Sequence, residues 1–80
     1  MKDVKITATC FVPKANVKYY VSYDGSSVIN RIRHMKAEDR VLDLTKGKKT
    51  NTVIMLNDGT AILVNTGLKV INERMEDDSQ

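Results

Sequence analysis

The sequence predicts a small α+β domain of order ββαβββα, with an antiparallel or mixed sheet, one central helix and a short C-terminal helix. Three observations carry that expectation. Short runs of β-branched and apolar residues recur between turn residues. One stretch in the middle has helical apolar spacing instead. Asn57-Asp58-Gly59 sits between two apolar runs, the strongest hairpin signal in the chain after the basic turn described below.

Residues 4–12 mix β-branched residues with a partial alternation and read as the first strand. Pro13 ends it, and residues 17–23, rich in Val and Tyr, read as the second. Tyr19 and Tyr20 are adjacent, so they point to opposite faces of that strand. Asp24-Gly25 turns the chain, and Ser26 or Ser27 can cap a helix over about residues 27–38 by accepting a bond from a first-turn amide. Val28, Ile29, Ile32 and Met35 share one face of that helix, while Arg31, Arg33, His34 and Lys36 spread over the rest. Residues 40–45, 52–56 and 60–64 read as three more strands. One of the last two is expected at a sheet edge, open to pairing with another copy. Asn65-Thr66 can cap a final helix with Leu68, Ile71 and Met75 on one stripe.

Between the third and fourth strands lies the densest charge in the chain. Lys46, Lys48 and Lys49 surround Gly47, with hydroxyls at Thr45 and Thr50. The glycine frees the backbone to turn tightly, and strands on either side would hold the ammonium groups at an exposed hairpin tip. Clustered cations and hydroxyl donors suit phosphate oxygens. Lysine is also common in plain surface turns, and that bland reading stands beside the functional one.

Eighty residues with 41% hydrophobic side chains make one domain, expected over 1–75, with a thin core. Cys10 is the sole cysteine, so no intrachain disulfide is possible. It reads as a structural thiol in a strand. One His and one Cys make no zinc site by themselves. Self-association is the remaining way to support so small a core. Net charge is +3, but the last five residues carry three carboxylates and no cation, an acidic tail expected to be disordered at 76–80. The remaining body holds all 13 Lys and Arg against seven acids, a net of +6 that attracts polyanions. No apolar run resembles a signal peptide or is long enough to span a bilayer, so the chain reads as soluble and cytoplasmic.

Enzyme chemistry has little support. The Lys46-to-Lys49 run lacks P-loop spacing, and His34 lies among cations on a helix surface. No catalytic residue, metal ligand, cofactor, membrane or small-molecule substrate is expected. One Phe and three Tyr are too few for a base-stacking sheet face, which counts against an RNA-binding module.

Asp43-Leu-Thr-Lys-Gly-Lys-Lys-Thr resembles the Asp-x-Thr-x-Gly-Arg-[Arg/Lys]-Thr segment of the RemA-like regulators of Gram-positive bacteria. The apolar hairpin at Val53-Ile-Met-Leu and Ala61-Ile-Leu-Val, and the closing Val70-Ile-Asn-Glu-Arg-Met75, are similar to that family too. The resemblance implies a non-enzymatic DNA-binding transcriptional regulator with a LytTR-like fold, assembled as a homo-oligomer, in that family a ring, and connected with biofilm-matrix genes. It places the family's two basic loop residues on Lys48 and Lys49. Asn51 stands where the family shows another arginine, and Val17 replaces an arginine with Lys18 nearby. Lysine for arginine also removes bidentate recognition. On these grounds the expected partners are duplex DNA and further copies of the chain. The expected DNA-binding residues are Lys46, Gly47, Lys48, Lys49, Thr50 and Asn51, with Arg31, Arg33 and Lys36 extending the footprint. A protein-interaction module docking by a β-edge is the alternative reading, and an RNA-binding protein a third.

Overall fold

The computed structural model describes residues 2–76. It is an α+β domain with a two-stranded and a four-stranded sheet. The elements are β1 (Asp3–Thr7), β2 (Cys10–Pro13), β3 (Val17–Ser22), α1 (Ser26–Ala37), β4 (Val41–Asp43), β5 (Thr52–Leu56), β6 (Ala61–Val64) and α2 (Leu68–Glu76). The acidic tail expected at 76–80 lies outside the described residues, except for Glu76, which closes α2.

The single first strand expected over 4–12 is a hairpin. β1 and β2 pair antiparallel, with Val4 opposite Val12 and an irregularity between Lys5 and Thr7. The reversal falls on Ala8-Thr9, where the Thr9 amide donates to Thr7 Oγ1 at 3.2 Å. No Gly, Pro, Asn or Asp marks that turn, so the residue types hid it.

The main sheet has strand order β3-β5-β6-β4. β5 pairs antiparallel with both β3 and β6, whereas β4 runs parallel to β6, with Leu42 opposite Ile62. Two expectations fail here. The third and fourth strands of the sequence reading, β4 and β5, do not form a hairpin, because β6 lies between them. Nor does either apolar strand lie at an edge: β5 and β6 are the two inner strands, and β3 and β4 are the outer ones.

Inner position explains the composition. Val53, Met55, Ala61 and Leu63 face α1 and pack on Ile32 and Met35. Ile54, Ile62 and Val64 face the other way, onto Val4, Ile6 and Val12 of the hairpin and Ile71 and Met75 of α2. A strand covered on both faces has no polar side and so reads as an unbroken apolar run. Burying each of the Val, Ile, Leu and Met side chains stabilises the fold by about 1.5–3 kcal/mol. Leu68, expected on the buried stripe of α2, is 37% exposed.

Helix termini also depart from the sequence reading. Gly25, at φ +87°, takes the N-cap position of α1 with no side-chain cap, so Ser26 and Ser27 fall inside the first turn. At α2 the Ile71 amide donates to the Gly67 carbonyl at 3.2 Å, which puts Gly67 at the start in place of Asn65 or Thr66. The C-terminus of α1 is a Schellman motif: the Arg40 amide donates to Met35 O at 2.9 Å and the Asp39 amide to Lys36 O at 3.1 Å. Asp39 occupies the left-handed position, at φ +59°, that glycine favours. Asp39→Gly should therefore raise stability by roughly 0.5–1 kcal/mol in urea unfolding, since it removes that strain.

Candidate nucleic-acid interface

The basic segment is a crossover, not a hairpin tip. Leaving β4, the chain must pass the end of β6 to reach β5 on its far side. Its first bend is a β-turn closed by the Lys48 amide donating to the Thr45 carbonyl at 3.0 Å. Both central residues have positive φ, +56° at Lys46 and +82° at Gly47, as a type I′ turn requires. Gly47 fits without strain. Lys46 does not, and a non-glycine residue held left-handed costs about 1 kcal/mol.

Two sets of bonds hold the crossover. At its start, Asp43 Oδ1 accepts from the Thr45 amide at 2.9 Å and from Thr45 Oγ1 at 2.6 Å. This satisfies the buried Thr45 hydroxyl and fixes the entry to the turn. At its end, the Asn51 amide donates to Val64 O at 2.9 Å and the Tyr23 amide donates to Asn51 O at 2.9 Å. Asn65 Nδ2 donates to Lys49 O at 2.6 Å, Asn51 Nδ2 donates to Asn65 O, and Thr52 Oγ1 donates to Thr66 O at 2.7 Å.

The result is a braced backbone with unbraced charges. Lys46, Lys48 and Lys49 are all exposed. Among the described residues, none of their ammonium groups has an ion-pair or hydrogen-bond partner. Thr50 is half-buried beside them. Asn51, expected as a donor to phosphate, has its side-chain nitrogen committed inward to Asn65 O.

The helix cations separate. Lys36, in the last turn of α1, adds a minor charge contribution to the lowered pKa of Asp43, after the two hydrogen bonds from Thr45. Arg33 lies on the outer surface of α1 with Asn30 and His34. Arg31 lines a cleft with Leu56, Asn57 and Gly59. That is the far end of β5 from the crossover, roughly 15 Å away along five residues of strand. On a single protomer the crossover lysines thus form one cluster, and Arg31 stands apart from it at the other end of β5. Asn65 and Thr66 were not legible as part of the site, because they follow β6 and lie 14 to 16 residues along the chain from the residues they bond to. The Asp43–Thr45 bond did carry a local signal that the strand reading of residues 40–45 passed over, since an Asp side chain commonly accepts from the amide two residues on.

The molecule is thus a small α+β domain whose most concentrated charge is a solvent-facing cationic turn. The model of the RemA-like family, described as extracellular matrix regulatory protein A-like, matches residues 4–75, and the chain belongs to that family. It is on that basis a regulatory protein. None of the curated proteins compared with the chain matches it. Among the described residues no group of three His, Cys, Asp or Glu side chains could hold a metal ion, and no helix is long and apolar enough to cross a membrane.

Two outcomes test the bracing. Asn65→Ala should lower stability by about 1 kcal/mol, the net value of one hydrogen bond, and speed amide exchange at residues 48–51 while leaving α1 unaffected. Asp43 is the second test. The two bonds from Thr45 hold its pKa below the ordinary 3.8. The unfolded chain binds that proton more readily, so the contribution of Asp43 is complete above 3.8 and is lost as pH falls through the lowered value. In acid unfolding, the advantage of the native chain over Asp43→Ala should shrink across that window.

Proposed function

We propose that this chain is a homo-oligomeric regulator of transcription that binds duplex DNA without enzymatic activity. Lys46, Lys48 and Lys49 meet phosphates, Gly47 shapes the turn that presents them, and Thr50 supplies a hydroxyl. Lys36, on the last turn of α1, is a further candidate contact. The observation that carries the reading is the braced turn whose three ammonium groups are exposed and unpaired among the described residues. Counterion release rewards such groups when a polyanion replaces small ions. Side-chain flexibility and the absence of a guanidinium fork make this contact a positioning one rather than a reading of bases.

Several copies side by side would multiply a weak contact into a strong one. Support for association comes from exposed apolar side chains on outer elements: Leu42, 46% exposed, on the edge strand β4, and Phe11, 59% exposed, on the β1–β2 hairpin. Tyr19, at 38%, is exposed on the other edge strand, β3. The same open edge at β4 favours the second reading, a module that docks a protein partner by strand addition.

Fluorescence anisotropy with a labelled duplex, run alongside a solution mass measurement, separates these readings. The expected mass is a discrete multimer. Changing Lys48 and Lys49 together to alanine should weaken binding evenly across duplex sequences and flatten the salt slope by roughly 2. Unchanged affinity in that variant would remove the turn from the mechanism. A wild-type chain that binds no duplex at any salt would leave the docking module as the better account.

A further inference from the structure

A second concentration of positive charge lies at the opposite end of β5 from the crossover turn. It is a cleft of about 280 Å³ that four separate parts of the chain build. Lys18 comes from β3, Arg31 and His34 from α1, Arg40 from the segment after α1, and Gly59 from the turn before β6. Met35, Met55 and Leu56 contribute an apolar floor. Among the described residues, Glu38 is the only carboxylate lining it.

Local geometry brings each cation there. The β3–β5 ladder slips between Val17 and Tyr19, so Lys18 is the extra residue of a β-bulge. A bulge re-aims a side chain. Here it puts Lys18 and Tyr19 between Val17 and Tyr20, which both pack on the α2 side of the sheet. Arg40 is brought in by the Schellman turn, and Gly59 makes room for it. A Cβ added at Gly59 would stand 3.3 Å from Arg40 Nη1. His34 Nδ1 lies 2.8 Å from the Asn30 carbonyl, which can only accept, so Nδ1 carries a hydrogen and Nε2 is left for a ligand.

The bland account is that these cations merely complement the negative C-terminus of α1. That end is already satisfied by the backbone: the His34, Met35 and Lys36 carbonyls accept from the amides of Glu38, Asp39 and Arg40. Glu38 does not cancel the charge either. Its contact with Arg40 Nε is 3.7 Å, with both side chains more than half exposed, a kind of pair that contributes little. Lys18 and Arg31 have no ion-pair partner among the described residues.

We propose that this cleft binds a small phosphorylated molecule. The phosphate or diphosphate sits among Lys18, Arg31 and Arg40, and its apolar or planar portion lies on Met35 and Leu56. Arginine forks match phosphate oxygens in pairs. The volume is at the small end of ligand sites, which suits a diphosphate or a compact nucleotide. The site does not depend on the DNA reading of the crossover turn, and it departs from the expectation of no small-molecule partner.

The test is a two-dimensional amide NMR titration of the isotopically labelled full chain with inorganic pyrophosphate, ADP and unphosphorylated adenosine. Saturable shifts are expected at Lys18, Arg40 and Gly59 with pyrophosphate and with ADP, at dissociation constants on the order of 0.1–1 mM, and not with adenosine. Arg31→Ala combined with Arg40→Ala should weaken binding at least about tenfold. Lys18→Ala, on the exposed bulge, gives an independent weakening if the double variant folds poorly. Changing Lys48 and Lys49 to alanine should leave the titration unaltered. Absence of saturation with pyrophosphate and ADP, shifts confined to residues 46–50, or equal binding by the cleft variants would overturn the proposal. So would shifts at Lys18 and Gly59 produced by a short duplex and not by pyrophosphate, since the cleft would then belong to a nucleic-acid footprint.

Discussion

Parallel pairing of β4 with β6 governs one whole end of the molecule. Two strands that follow one another in the chain are held apart by a third, so the segment between them has to bridge that third strand. The bridge lies across the end of β6, where the carbonyls of residues 64–66 accept from it and the Asn65 side chain donates to it. A free hairpin tip would fray and swing. A bridge fastened at both ends presents its lysine stems from a fixed backbone, and only the side chains remain mobile.

The rest of the architecture follows from covering both faces of β5 and β6. One face takes α1, and the other takes α2 together with the β1–β2 hairpin. The hairpin shares no backbone ladder with the main sheet. Side-chain packing fastens it, with Arg74 Nη1 donating to Ile6 O at 3.0 Å and to Lys5 O at 3.4 Å. Tyr20 adds a second tie on the same side, its hydroxyl donating to Asn72 Oδ1 at 2.7 Å. In a domain this small such cross-links matter, because total stability is of the order of a few kcal/mol.

Local signals were legible and long-range ones were not. The periodicity placed α1 within a residue of its true bounds, and β5 matched its apolar run. The α+β class followed from those elements. Three of the turn-level readings failed for separate reasons. The β1–β2 reversal uses Thr and Ala, which carry no turn signature. Ser26 and Ser27 are good capping residues that lie past the cap, because Gly25 already turns the chain. The hairpin assumed for the basic turn failed because strand order is a tertiary fact, and nothing in residues 43–52 reports that β6 will come between. For the candidate site, the cationic turn was visible as a cluster in the sequence. The cations of the cleft were not, since Lys18, Arg31 and Arg40 are 13 and 9 residues apart and meet only through a bulge and a helix stop.

Interior strands sealed on two sides tolerate little change, for a polar or smaller residue at Ile54 or Leu63 would open a void with no solvent to fill it. Variation is therefore channelled to the connections at either extremity of the sheet. Those connections share no side chains and sit a strand's length apart. The two poles of the molecule can accordingly be rewritten separately, each acquiring a new preference while the scaffold and the opposite pole stay as they are.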